Sequence, residues 1–162
     1  MTPGTCRDGL VFGAVVADIS RTRTIAAAPQ VIWDVLADFG ALSAWADGVD
    51  HSSVLRHGAP IGLARRVQVG RITLIETITT FDPPTELAYD ITGLPRRFGQ
   101  VSNRWTLVPA DHAATTVTLT STVDIDTGRI ARVAERVISR LLANQSATLL
   151  ADLAKRVERQ HV

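Results

Sequence analysis

The chain has 162 residues, enough for a single domain with a sizeable core. With 46% hydrophobic residues, 20% charged residues and a formal net charge of +1, it carries no global field that would draw nucleic acid or a membrane surface. No apolar run reaches the ~20 residues needed to span a bilayer, and the single cysteine, Cys6, rules out an internal disulfide framework and points to a cytoplasmic setting.

Residues Met1 to Ala17 lack a basic leader, carry Asp8 and are broken by Gly9 and Gly13, so they read as an N-terminal extension rather than a secretory signal. The extension includes a short apolar stretch at Leu10 to Val16. The domain proper is expected over residues 18–160. Ser20 to Ala26 alternates as a strand does. Pro29 then suits the first position of a helix, where its missing N–H costs nothing. Val31, Ile32, Val35 and Leu36 give that helix an apolar face, with Trp33 packing beside it. A second short helix is predicted from Phe39 to Trp45.

Strands follow at His51–Arg56, Leu63–Val69, Ile72–Phe81, Glu86–Thr92, Gln100–Val108 and Thr115–Ile125. The turn residues between them, including Asp82-Pro83-Pro84, Gly93-Leu94-Pro95 and Pro109, predict antiparallel hairpins. From Thr127 to Arg159 the period becomes helical, with Asp126 or Thr127 as N-cap. Ile130, Ala134, Val137, Leu141, Leu149, Leu153 and Val157 form the predicted apolar stripe, beside a row of Arg129, Arg132, Arg136 and Arg140. A sheet with one apolar face is the natural cover for such a helix, which makes the fold class α+β.

Strand alternation assigns an inner face. Val117, Leu119, Ser121 and Val123 turn inward, and Thr116, Thr118, Thr120 and Thr122 outward. Val101, Asn103, Trp105 and Leu107 turn inward, as do Leu87, Tyr89 and Ile91, and Leu74, Glu76 and Ile78. Val67 and Val69 place Arg65 inward and Arg66 outward, unless a bulge swaps them. This apolar face carries Arg65, Glu76, Tyr89, Asn103 and Ser121, and the long helix adds Asn144, Gln145, Ser146 and Thr148. Each polar group buried without a partner costs about 1–3 kcal/mol. So many of them predict an internal pocket holding water or a polar-headed ligand. The site residues expected are Trp45 at the pocket mouth, Arg65, Glu76, Tyr89, Asn103, Trp105, Ser121 and Gln145. Arg65 and Glu76 either pair with each other or meet the ligand, and Tyr89 and Trp105 serve either as core or as ligand contacts.

Several local features together resemble the polyketide cyclase/dehydrase and lipid-transport family of the START/Bet v 1-like superfamily. They are the segment Pro29-Gln30-Val31-Ile32-Trp33-Asp34-Val35-Leu36-Ala37-Asp38-Phe39, then Trp45, Gly62 with Arg65-Arg66, Glu76, the Leu94-Pro95 turn and Trp105. The resemblance spans roughly residues 18–160 and implies a helix-grip fold: a curved antiparallel sheet of six to seven strands around a long C-terminal helix, with two short helices after the first strand. It implies binding of a small apolar or amphipathic, lipid- or polyketide-like molecule. It also leaves open a cyclase, aromatase or dehydratase using Glu76 as acid or base, with Tyr89 and Arg65 as partners. An interaction module working through the arginine row is a third reading. No cofactor is expected. No metal site is expected either, because His51, His57, His112 and His161 lack ligand spacing.

Overall fold

A computed structural model describes residues 15–96, 98–125 and 131–160. Strands β1 (Val15–Ile25), β2 (His51–Val54), β3 (Ala64–Val69), β4 (Ile72–Asp82), β5 (Glu86–Thr92), β6 (Val101–Ala110) and β7 (Ala114–Ile125) form one antiparallel sheet. The order across the sheet is β1-β7-β6-β5-β4-β3-β2. Helix α1 (Pro29–Ala37) and a 3₁₀ helix (Phe39–Ala44) link β1 to β2, and the long helix α2 (Ala131–Gln160) packs on β1, β7 and α1. This is the helix-grip fold, an α+β architecture.

The elements follow from their residues. Pro29 occupies the first turn of α1, and Ile32, Trp33, Val35 and Leu36 bury the helix's apolar face. On β7, Val117, Leu119, Ser121 and Val123 are all buried. The opposite face carries a hydroxyl ladder to β1: Ser20 with Thr120 at 2.8 Å and Thr22 with Thr118 at 3.0 Å.

Four features differ from the expectations. Strand β1 begins at Val15, because the ladder with β7 continues to the pair Val15–Ile125; the rest of the 1–14 segment lies outside the described residues. Strand β6 runs through Pro109 to Ala110, since the hairpin closes only after the Ala110–Ala114 pair. A β-bulge lies in β4, where the register shifts between Ile78 and Thr80. The extra residue reverses the alternation and turns Phe81 toward Trp33, with ring centroids 5.1 Å apart. The bulge leaves β3 untouched, so Arg65 is buried and Arg66 exposed.

The fourth difference is in the middle of α2, where the expected stripe holds at Leu149, Leu153 and Val157 but not at Leu141. Leu141 is 62% exposed, whereas Ala143, Ser146, Leu150, Leu153, Ala154 and Val157 face the sheet. Small side chains at 143, 146 and 154 let the helix approach closely, which a stripe through Leu141 and Gln145 would prevent. Of the predicted arginine row, Arg136 and Arg140 are exposed, while Arg129 and the side chain of Arg132 fall outside the described residues. The predicted N-cap at residues 126–127 also lies outside them.

Candidate functional site

A cavity of about 100 Å³ lies between the sheet and the middle of α2. Its walls are mainly apolar, with Val67, Val69, Leu74, Ile91 and Leu149 among them. Its polar groups are Glu76, Tyr89, Asn103, Ser121, Gln145 and Ser146. Five of the eight expected site residues therefore meet around one space. Gln145 lies at its margin and is itself exposed.

The remaining three, Trp45, Arg65 and Trp105, stand behind Tyr89 around a much smaller space of about 10 Å³. Trp45 was expected at the pocket mouth. Instead it packs edge-on against Trp105, with centroids 6.4 Å apart. Its indole N–H is buried with no hydrogen-bond partner among the described residues.

Cross-strand register explains how the polar groups meet. Arg65 lies directly opposite Glu76 on β3 and β4. The Arg65 Nε donates to Glu76 Oε2 at 2.6 Å, and Nη2 lies 2.5 Å from the same oxygen. Arg65 Nη1 donates to the Phe39 carbonyl at 2.7 Å. The guanidinium also stacks over the Phe39 ring at 3.8 Å, with the Tyr89 ring at 5.1 Å. Every nitrogen of Arg65 is thus engaged within the protein, whereas Glu76 commits only one of its oxygens to the pair.

A second row crosses three strands, because Tyr89 is opposite Asn103 and Asn103 is opposite Ser121. The Ser121 hydroxyl donates to Asn103 Oδ1 at 2.7 Å and lies 3.3 Å from the Ser146 hydroxyl on α2. Asn103 Nδ2 donates to the Tyr89 oxygen at 3.3 Å, and Trp105 Nε1 donates to it at 3.4 Å. Ser146, part of the polar interruption in the helix, is buried and joins this chain.

Burial pushes the Tyr89 hydroxyl above its ordinary value of 10.0, and the nearby Glu76 charge adds to the rise. Tyr89 is the sole tyrosine, so tyrosinate ultraviolet absorbance reports on it alone. The titration midpoint of the folded protein is expected above 10.0. The unfolded chain then releases this proton first, so stability is lost as pH rises past the unfolded value. A midpoint at or below 10.0 in the folded protein contradicts the assigned burial.

The chemistry of the site is therefore hydrogen bonding within an apolar enclosure. Among the described residues, no group of His, Cys, Asp and Glu could hold a metal ion, and no helix is long and apolar enough to cross a membrane.

The model of the family described as polyketide cyclase / dehydrase and lipid transport matches residues 16–158. The chain belongs to this family. No curated protein matched the chain. Among solved structures, the family member is similar to the Zhui aromatase/cyclase from Streptomyces sp. R1128, at 20% identity and a TM-score of 0.78. That match covers 91% of this chain and 97% of the other. A START superfamily protein from Mycobacterium smegmatis matches at 18% identity and a TM-score of 0.72, covering 88% of this chain and 98% of the other. The di-domain ARO/CYC StfQ from the steffimycin biosynthetic pathway matches at 17% identity and a TM-score of 0.76. That match covers 91% of this chain and 52% of the di-domain protein. At these identities the likeness is one of fold.

Proposed function

We propose that this family member binds a small, mostly apolar molecule with one polar end, held in the cavity between the sheet and α2. The observation that carries the reading is a mainly apolar cavity of about 100 Å³ in which Tyr89, Asn103 and Ser121 line up along one row of the sheet, with Glu76 and Ser146 beside them. Size sets the ligand class. Sites that enclose drug-sized ligands measure roughly 300–1,000 Å³, and an apolar cavity of about 150 Å³ holds benzene. The space here lies below both figures, so it favours a compound no larger than a single small ring over an extended lipid or polyketide chain.

Binding is favoured over acid–base catalysis because Arg65, one of the two partners such a reaction would draw on, is wholly engaged by Glu76 and Phe39. A thermal unfolding series with toluene tests the proposal. At ten times its Kd, a ligand that binds only the folded state adds about 1.4 kcal/mol. For a chain of this size that raises Tm by about 3–5 °C. An unchanged Tm up to toluene saturation contradicts the proposal.

A further inference from the structure

Glu76 and Tyr89, both buried at the cavity wall, each leave one hydrogen-bonding function unspent. Glu76 is 5% exposed and lines the cavity, and its Oε2 takes both contacts from Arg65. Its Oε1 has no hydrogen-bond partner among the described residues, yet it is not sealed from the cavity as the Trp45 nitrogen is sealed in the core. Tyr89 is 2% exposed and lines the same cavity. Its oxygen accepts from Asn103 and Trp105, so its own O–H remains as a donor without an acceptor among the described residues.

The direction of the chain follows from its distances. The 2.7 Å contact between Ser121 and Asn103 has the length of an O–H···O bond. That leaves the Asn103 amide nitrogen to face Tyr89, to which Nδ2 donates at 3.3 Å. Donors therefore run from Ser121 through Asn103 to Tyr89 and end there. Burial raises the pKa of Tyr89, which keeps its proton in place at neutral pH.

One acceptor and one donor at a shared apolar cavity ask for a group that both donates and accepts. A hydroxyl does so on a single oxygen. A carboxylate would face Glu76 with no free cation to offset it, because Arg65 is fully engaged. Resting on the binding function proposed above, we infer that the cavity recognises a small neutral hydroxyl compound of the single-ring phenol class. Its O–H donates to Glu76 Oε1 and its oxygen accepts the Tyr89 O–H.

Isothermal titration of the full chain with phenol and with toluene, which has nearly the same shape but no hydroxyl, tests this. Phenol is expected to bind at least about tenfold more tightly, the worth of two modest hydrogen bonds. In Tyr89→Phe the ratio of phenol to toluene affinity should shrink to about threefold or less. Equal affinities in the unaltered protein overturn the hydroxyl assignment and leave the binding function standing. Absence of binding by both overturns the two together. A phenol preference that survives Tyr89→Phe also overturns the assignment. Should that variant fail to fold, unaltered crystals soaked in phenol give the reading. The phenol oxygen within hydrogen-bond distance of Glu76 and Tyr89 supports the assignment, and a hydroxyl turned toward the apolar wall overturns it.

Discussion

Glu76→Ala is expected to destabilise the protein by about 3–5 kcal/mol, because it leaves the Arg65 guanidinium buried without its counter-charge. Arg65 is 4% exposed, so water cannot take over the role of the carboxylate. Its bond to the Phe39 carbonyl and its stacking on Phe39 satisfy one nitrogen and one face, which leaves Nε and Nη2 stranded. Set against a typical total of about 5–15 kcal/mol, the loss is severe. Replacing both partners with apolar residues, Arg65→Met with Glu76→Leu, removes the stranded charge and is expected to recover most of it. Urea unfolding at neutral pH measures all of these. A single-variant loss below about 1 kcal/mol contradicts the reading of Arg65 and Glu76 as an interdependent pair.

Ser146→Leu is expected to abolish toluene binding while the protein stays folded. Ser146 is buried on the α2 face that lines the cavity, and its hydroxyl makes one long contact, 3.3 Å to Ser121. A leucine there projects into a space of about 100 Å³. Filling a void returns about 24 cal/mol per Å³, which offsets the lost hydroxyl contact and the roughly 1–3 kcal/mol of crowding that a larger side chain brings. Net stability should therefore change by about 1 kcal/mol or less, whereas affinity falls at least about tenfold. Titration with toluene beside urea unfolding separates the two effects. Undiminished toluene affinity in a folded Ser146→Leu protein places the ligand somewhere other than this cavity.

The strand faces were legible because a period of two is rigid: once the valines and leucines of β7 face inward, Ser121 must join them. The pairing of Arg65 with Glu76 was legible as one of two alternatives, since both lay on inward faces of neighbouring strands. The C-terminal half of the α2 stripe, Leu149, Leu153 and Val157, was legible too, but its course at Leu141 was not. Leucines stand in adjacent pairs at 141–142 and 149–150, so helical periodicity alone supports either of two stripes. What chose between them was close packing, which selected the small side chains of Ala143, Ser146 and Ala154. The choice carried Leu141 outward and left Gln145 at the cavity margin.

The bulge in β4 was equally silent, because Thr79 and Thr80 give no sign of which residue drops out of the ladder. The packing of Trp45 is silent in the sequence for a similar reason. Its position depends on a ring contact with Trp105, sixty positions away in sequence. The row joining Tyr89, Asn103 and Ser121 could have been found earlier, by registering the three strands outward from their hairpin turns.

The central claim is that the space between the sheet and α2 admits a small apolar molecule, and an X-ray structure of toluene-soaked crystals tests it most directly. Ring-shaped density is expected between Leu74, Ile91 and Leu149, beside Tyr89 and Glu76. Ordered water filling that space, with toluene found only on the surface, would contradict it.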